Sequence, residues 1–413
     1  MLLTSSAPSS PVTTSRPSAC PGLMRIVPAR DGGLARLRLV GGEMSAQQAR
    51  AVARAARECG SGVIEVTNRA NLQLRGISDD AHAHLIQLAF DAGLGPAHVN
   101  GDDLRNLMLS PLASDTTRAL AFCILDALQR DIALQALSPK FALQLDSGER
   151  LAMLDHPQDL WLSSLDDGAR YAFGFAGSMP HRADDSPAAG VIDSADIVPF
   201  VVAVLHAFLR FALPEEKRMR DVLGRIGTTS FVEALAFSIT LAPEWRRAPV
   251  DASLRLGAHD GYVGAQLPLG RIDAATLEAL ASLFDRIIVT PWQSVLIPSG
   301  SEDTLARLNA LGLATDPHAP FARIIACAGS SGCIKSHADT KADAERLAAL
   351  LPDNCEVHLT GCERSCAAAR PVETTLLTVA PGRYDLYQHA RLEARALTIE
   401  EAAARLARSH ADA

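Results

Sequence analysis

The chain has 413 residues, of which 48% are hydrophobic and 21% are charged, and its formal net charge is −8. At roughly 100–200 residues per domain, this length predicts two or three folded units. The acidic balance disfavours nucleic acid as the main partner, so any anionic ligand must meet a local basic patch. No stretch reaches the roughly 18 continuous apolar residues that span a bilayer. We therefore expect no nucleic-acid partner and no membrane association.

The first 18 residues are rich in Ser, Thr and Pro and lack the apolar core of a secretion signal. This composition predicts a disordered tail at residues 1–18. A protein without such a signal is expected to be cytoplasmic, in a reducing compartment where clustered cysteines bind metals more often than they form disulfides.

A strand, a helix and two further strands are predicted within residues 19–80. The helix begins with a capping box formed by Ser45 and Gln48 and runs to Gly60. The turn between the last two strands carries Arg69. This order of elements is typical of a small α+β unit.

The same order recurs later in the chain, where residues 261–270 align without gaps on residues 33–42. An ordered match of several elements favours an internal duplication. Each copy is too small to bury its sheet alone. We therefore predict two half-domains, residues 19–80 and 246–302, paired around a pseudo-twofold axis.

A larger region with mixed helix and strand signals follows each half-domain. These regions cover residues 81–245 and 303–413. The whole chain is therefore predicted to have an α+β fold with two half-domains and two larger mixed α/β domains.

Four of the eight cysteines lie close together in the second large region, as two pairs that each follow a predicted strand: Cys327, Cys333, Cys362 and Cys366. Four thiolates from two loops suit an iron–sulfur cluster or a structural zinc ion. The five residues between the first two cysteines are a wide spacing for zinc, which favours the cluster. Cys59, Cys123 and Cys355 are predicted to be core residues.

Cys327-x5-Cys333 followed by Thr360-Gly361-Cys362-x3-Cys366 resembles the 4Fe-4S motif of the sulfite and nitrite reductase superfamily. In that superfamily the cluster lies against a sirohaem, and the fold contains duplicated ferredoxin-like half-domains. Residues 19–29 and 63–73 are most similar to the precorrin-3B synthase family, oxygen-dependent monooxygenases of aerobic cobalamin biosynthesis.

The resemblance implies hydroxylation of precorrin-3A by dioxygen, with formation of a lactone. It also implies a 4Fe-4S cluster and an additional iron centre, for which a non-haem iron and a sirohaem-like iron both stay open. No strand is followed by a Gly-x-Gly-x-x-Gly segment that opens a helix, so the chain shows no nicotinamide site. We expect electrons from NADH to arrive through a separate reductase.

Three basic residues match positions that line the tetrapyrrole and substrate site of the superfamily: Arg69, Arg105 and Lys140. Arginine suits such a site because its planar guanidinium binds a carboxylate through two hydrogen bonds. Without the resemblance, each of the three would be interpreted as a surface charge. Weaker candidates of the same kind are Arg75, His181, Arg182, Arg218 and Arg220.

Two departures from the superfamily pattern bear on the substrate. The reductases carry a second lysine two residues beyond the one matched by Lys140, and Ala142 stands there in this chain. Losing a cation disfavours the reduction of sulfite or nitrite, which builds up negative charge. Gln293 replaces the arginine expected after Thr-Pro-Trp. The alternatives are a sirohaem-dependent sulfite or nitrite reductase and a cluster-bearing electron-transfer or assembly subunit without its own active site.

Overall fold

The computed structural model describes residues 20–165, 168–353, 355–368 and 372–411. The predicted tail at residues 1–18 lies outside the described residues. Within the described part, the strands form four sheets of five strands each. The predicted α+β fold is confirmed.

The first half-domain forms most of one antiparallel sheet, with two helices on one face. Its elements, numbered in chain order, are β1 (Val27–Ala29), β2 (Gly32–Leu37), β3 (Glu43–Ser45), α1 (Ala46–Cys59), β4 (Val63–Val66), β5 (Leu72–Ile77) and α2 (His82–Asp91). The capping box predicted at the start of α1 is present, with the Ser45 side chain accepting a hydrogen bond from the Gln48 N–H. Leu85 and Leu88 of α2 belong to the same core, beyond the predicted end of the unit at residue 80.

The second half-domain repeats this arrangement. Its elements are β11 (Gly257–His259), β12 (Tyr262–Gln266), β13 (Arg271–Asp273), α7 (Ala274–Leu283), β14 (Arg286–Val289), β15 (Ser294–Pro298) and α8 (Glu302–Ala310). Helices α1 and α7 pack against each other, and the apolar residues of both half-domains form one continuous core.

The two half-domains exchange a short strand. β13 pairs with β4 of the first half-domain, and β3 pairs with β14 of the second. Each exchanged strand follows a tight turn that ends in glycine, Gly42 in one copy and Gly270 in the other, with φ near +70° in both. A Cβ atom on Gly42 would lie 2.0 Å from the carbonyl oxygen of Val289. The predicted duplication and its paired arrangement are confirmed.

The turns that join β4 to β5 and β14 to β15 are equivalent in their hydrogen bonds. The hydroxyls of Thr67 and Thr290 each accept a backbone N–H two residues on, from Arg69 and Trp292. The next residue has a positive φ in both turns. Arg69 and Trp292 therefore occupy equivalent positions in the two copies.

The first large domain has a mixed sheet, in which β6, β7 and β8 are parallel and β9 and β10 continue antiparallel. Its elements are β6 (Leu107–Leu109), α3 (Asp115–Arg130), β7 (Leu143–Asp146), β8 (Gln158–Leu165), β9 (Arg170–Gly177), β10 (Gly190–Asp193), α4 (Ile197–Phe211), α5 (Met219–Ile226) and α6 (Thr228–Glu233).

The second large domain has the same strand order and the same directions, with β16, β17 and β18 parallel and β19 and β20 antiparallel. Its elements are β16 (Ile324–Ala326), α9 (Gly329–Gly332), α10 (Thr340–Ala348), β17 (Val357–Thr360), β18 (Thr374–Ala380), β19 (Arg383–Gln388), β20 (Arg391–Leu397) and α11 (Ile399–Ala411). The duplication therefore includes the large domains as well as the half-domains.

One helical stretch, residues Ser194–Phe211, is long and apolar enough to cross a membrane by composition, with a mean hydropathy of 1.6. This stretch does not meet the criterion of roughly 18 continuous apolar residues, because polar residues interrupt it. The helix buries Phe200, Val204 and Phe208 in the core of the first large domain. This packing is typical of a core helix.

Candidate functional site

The two cysteine pairs meet at one edge of the second large domain. Cys327 directly follows β16, and Cys362 follows β17 by two residues. Because β16 and β17 are parallel neighbours, their carboxyl ends lie side by side. The Gly361 N–H donates to the Cys327 sulfur across 3.2 Å, which joins the two loops.

The Cys366 thiol lies within electrostatic range of the other three. The pKa of the Cys366 thiol is raised, first by desolvation of its sulfur and then by negative charge on Cys362, Cys327 and Cys333, although the residue as a whole is exposed. Four soft sulfur donors are the ligand set of a 4Fe-4S cluster, so the residues present fit this group.

Within the described ranges, no three Cys, His, Asp or Glu side chains converge as ligands of a single metal ion do. A 4Fe-4S cluster needs no such convergence, because each of its four cysteines binds a different iron atom.

The other predicted core cysteines differ in their burial. Cys59 and Cys355 are buried, as predicted. Cys123 is exposed, so that prediction is wrong. The reason is the position of Cys123 on the helix: α3 buries Ala121, Ile124 and Leu125, and the two positions between Ala121 and Ile124 face solvent.

Arg69 projects from the β4–β5 turn and is held by neutral side chains. Its guanidinium donates to Asn106 Oδ1 at 3.0 Å and to Gln158 Oε1 at 2.8 Å, and it lies 3.3 Å from His156 Nδ1. Burial and the nearby charge of Arg218 lower the pKa of Arg69 to about 9. In the part of the chain that the structure describes, Arg69 forms no ion pair with a carboxylate.

Two further arginines complete what we call the arginine cluster, consisting of Arg36, Arg69 and Arg218. Burial, followed by the charge of Arg38, lowers the pKa of Arg36 to about 10. Its buried Nε has no hydrogen-bond partner. Burial and the charge of Arg69 lower the pKa of His156 to about 3, so this imidazole is neutral near pH 7.

The arginine cluster lies beside the cysteine loops. The Asn68 amide, next to Arg69 in the turn, donates to the Cys366 carbonyl at 3.4 Å. Arg36 lies within electrostatic range of the thiols of Cys20 and Cys366. A half-buried positive region therefore adjoins the predicted ligands of the iron–sulfur cluster.

Arg105 and Lys140 are placed differently from Arg69. Arg105 donates to the backbone carbonyls of Leu94 at 2.7 Å and Arg38 at 2.9 Å, and burial lowers its pKa. It lines a separate pocket of about 350 Å³. Lys140 is exposed in the turn before β7, and Ala142 is only 1% exposed.

The weaker candidates separate into two groups. Arg218 belongs to the arginine cluster, where Asp159 accepts its Nε–H at 2.9 Å. Arg75 lies beneath the first cysteine loop, where it binds Gly332. The structure does not bring His181, Arg182 or Arg220 into contact with either group of residues.

Sequence reasoning missed Arg36 and His156. For Arg36, a signal was available in the duplication: the aligned residue of the second copy is Gly264. The same asymmetry distinguishes Arg69 from Trp292, whose ring is contacted by Arg255 at 4.7 Å. At these two aligned positions, only the first half-domain carries an arginine.

Family models match two segments of the chain. Residues 27–89 match the nitrite/sulfite reductase ferredoxin-like half domain, and residues 100–239 match the nitrite and sulphite reductase 4Fe-4S domain. The second match covers the first large domain. The four paired cysteines lie in the second large domain, which repeats its strand order.

Known proteins resemble the chain along most of its length. A precorrin-3B synthase from Sinorhizobium sp is 29% identical over 396 residues, covering 91% of this chain and 83% of the relative. A chloroplastic ferredoxin–nitrite reductase from Zea mays is 26% identical and covers 80% of this chain and 67% of the relative.

The solved structure of the Mycobacterium tuberculosis NirA protein is similar to this chain in fold. The two superpose with a TM-score of 0.70 at 19% identity, covering 92% of this chain and 80% of that protein. The chain therefore belongs to the nitrite and sulfite reductase superfamily of oxidoreductases, with the 4Fe-4S cluster and sirohaem-like centre of that superfamily as its cofactors.

Proposed function

We propose that the chain is a precorrin-3B synthase, which uses dioxygen to convert precorrin-3A to precorrin-3B by hydroxylation and lactone formation in aerobic cobalamin biosynthesis. The observation that carries this proposal is the state of Arg69, a half-buried cation whose side-chain hydrogen bonds all go to neutral groups beside the cysteine loops. The similarity to the Sinorhizobium precorrin-3B synthase supports it.

A precorrin carries several carboxylates around its ring, and the arginine cluster suits them. A partly buried cation that has lost water without gaining an anionic partner is destabilised, and a carboxylate ligand relieves that cost. Arg69 has no such partner among the described residues, and the Nε of Arg36 has no hydrogen-bond acceptor. We infer that Arg69 and Arg36 bind substrate carboxylates and orient the macrocycle against the cysteine loops.

We propose that the four paired cysteines hold the cluster: Cys327, Cys333, Cys362 and Cys366. When bound, the cluster supplies electrons one at a time, which protein side chains cannot do. The Thr340 hydroxyl lies 3.4 Å from the Cys327 sulfur, and the Gly361 N–H also contacts that sulfur. These contacts orient the first cysteine.

We assign the other predicted site residues supporting roles. Arg105 holds the backbone of Arg38 and thereby supports the sheet that carries the arginine cluster. Lys140 is exposed and free to contact a peripheral carboxylate of the substrate. His156 is neutral beside Arg69, and its Nδ1 lies 3.3 Å from the guanidinium, so it packs against Arg69 without adding charge.

Reduction of sulfite or nitrite is the second candidate function, and the nitrite reductase relatives favour it. The surroundings of Ala142 argue against it. Arg218 is the neighbouring cation, but Asp159 pairs with it at 2.9 Å and also accepts the Ala142 N–H at 2.8 Å. Arg218 is therefore held by Asp159 and does not replace the missing lysine.

The remaining partners in this proposal are dioxygen and a separate NADH-dependent reductase that delivers electrons. The proposal places the enzyme in the cytoplasm, where reduced cysteines are available for the cluster.

Parallel turnover assays test the proposed function. The cofactor-loaded protein is purified without oxygen and given one artificial electron donor, with precorrin-3A and dioxygen in one assay and nitrite or sulfite in the other. We expect oxygen-dependent consumption of precorrin-3A and negligible reduction of either anion. Rapid six-electron reduction of nitrite or sulfite, with no turnover of precorrin-3A, would overturn the proposal.

A further inference from the structure

Two buried cations support the first cysteine loop, residues 327–333. The Lys341 ammonium donates to the carbonyl of Ala326 at 2.7 Å. The Arg75 guanidinium donates to the carbonyl of Gly332 at 2.6 Å. These carbonyls belong to the residues directly before the two cysteines of the loop, so each cysteine is anchored through its peptide neighbour.

The two cations belong to one ionic network beneath the loop. Glu65 binds Arg75 at 3.1 Å and Arg271 at 2.9 Å, and Asp31 binds Arg75 at 2.8 Å. The pKa of Glu65 is lowered because the charges of Arg75, Lys341 and Arg271 outweigh its burial. Three cations and two carboxylates leave one net positive charge under the loop.

Lys341 is electrostatically coupled to the cysteine side of this network. Burial lowers its pKa to about 8, and the charges of Glu65 and Cys327 oppose that shift. It lies on the first turn of α10, is only 6% exposed, and also donates to the Leu269 carbonyl. A charge held this rigidly in a weakly polar interior acts on its neighbours with little screening.

We propose that Lys341 and Arg75 are positioning residues that hold the first cysteine loop and, together with Glu65, set the reduction potential of the cluster. Reduction adds negative charge to a thiolate-ligated cluster, and nearby positive charge stabilises the reduced state. Removing a cation therefore lowers the potential, whereas removing the carboxylate raises it. This inference rests on the ligands named under Proposed function and is independent of the substrate.

The first large domain provides a matched control within the same chain. Arg118 is a buried cation on the first turn of α3, and it donates to the carbonyls of Pro111 and Ala113. The charges that act on it include those of Glu43 and Arg286, with no cysteine among them. Arg118→Met removes an equivalent structural support without changing the charge at the cluster.

Potentiometric titration followed by the electron paramagnetic resonance of the reduced cluster tests the proposal. We expect Lys341→Met and Arg75→Gln to weaken the affinity of the cluster for its electron about tenfold, a shift of about −59 mV for one electron. Glu65→Gln is expected to shift the potential in the opposite direction. Lys341→Arg, which keeps the charge, and Arg118→Met are expected to match the wild type.

Unchanged potentials in Lys341→Met and Glu65→Gln, with full iron and sulfide content, would overturn the proposal. Should Lys341→Met fail to retain a cluster, Glu65→Gln decides the matter alone: a raised potential supports the proposal and an unchanged one refutes it. No precorrin is needed for this measurement, so its outcome is separate from that of the turnover assays.

Discussion

At the scale of single residues, the candidate site contains side chains that differ between the two half-domains. Arg69 and Trp292 occupy equivalent turns, yet Arg69 contacts Asn106, Gln158 and His156, whereas Trp292 contacts Arg255. The two turns share their backbone hydrogen bonds and differ in the side chain at the tip. We propose that the copy with Arg69 is the one that binds the carboxylates of the substrate.

Replacing Arg69 tests this assignment. A charge-assisted hydrogen bond to a partly buried carboxylate contributes roughly 1.5–3 kcal/mol. Arg69→Gln is therefore expected to weaken the binding of precorrin-3A by about tenfold or more in an equilibrium titration, with the visible spectrum of the cluster unchanged. Arg57→Gln, which removes an exposed arginine paired with Glu278, serves as the control and should bind normally. Equal affinities in the two variants would contradict the assignment.

The cluster ligands are tested by single replacements with alanine. Loss of any one of Cys327, Cys333, Cys362 or Cys366 should reduce bound iron and acid-labile sulfide and weaken the broad visible absorbance. Cys59→Ala and Cys123→Ala are the controls, one buried and one exposed, and should retain the cluster. A full cluster in two or more of the four ligand variants would show that the ligands are misassigned.

At the scale of secondary-structure elements, strand β17 leads into the second cysteine loop and contains a buried histidine. His358 is only 1% exposed, and its Nε2 has no hydrogen-bond partner. Burial lowers its pKa to about 4, so it stays neutral in the folded protein. Acid therefore destabilises the strand that precedes Cys362, because unfolding lets His358 take up a proton.

The pH dependence of stability follows from this shift. In the unfolded chain, histidine binds a proton below pH ~6.5, whereas His358 in the folded protein does so only near pH 4. The free energy of unfolding therefore decreases as the pH is lowered from about 6.5 to about 4. Between pH 7 and pH 5 the loss is about 2 kcal/mol. His358→Leu should reduce the difference between the thermal midpoints at the two pH values. The exposed control His389→Gln should leave it unchanged, and identical pH profiles in all three proteins would contradict the prediction.

The exchanged strands depend on the glycine turns that precede them. Gly42→Ala should destabilise the fold by about 3 kcal/mol or more, because the new methyl group meets the Val289 carbonyl and φ is +72°. Gly62→Ala is the matched control, since φ is +79° there but no atom lies within 4 Å of the new Cβ. It should cost only about 1–2 kcal/mol. Similar shifts of the thermal midpoint would show that backbone strain at the glycine, and not contact with β14, sets the effect.

At the scale of the whole molecule, the sequence revealed the duplication of the half-domains but not that of the large domains. Residues 33–42 and 261–270 align because both copies need glycine at the same turn. The equivalent strands β6 and β16 have three residues each, too few for a pattern to stand out. The strand exchange was also missed, since it pairs short segments more than 200 residues apart.

The cysteine part of the candidate site could be predicted from the sequence, and the arginine part only in part. The cysteines lie in two local motifs after parallel strands, where spacing alone indicates convergence. Arg36, Arg218 and His156 reach Arg69 from separate elements, and only the packing of the first half-domain on the first large domain brings them together. Arg105 was predicted to line the tetrapyrrole site, but its guanidinium donates to backbone carbonyls. Its local sequence gives no sign of those contacts.

We propose that this fold, with an iron–sulfur cluster and an arginine-lined site, uses dioxygen on a carboxylate-bearing macrocycle. Turnover of precorrin-3A under ¹⁸O₂, followed by mass spectrometry of the product, measures that use of dioxygen. We expect one labelled oxygen atom in the product, and none when the reaction is run under ¹⁶O₂ in labelled water. A product without label from ¹⁸O₂, or turnover that proceeds equally well without oxygen, would contradict it.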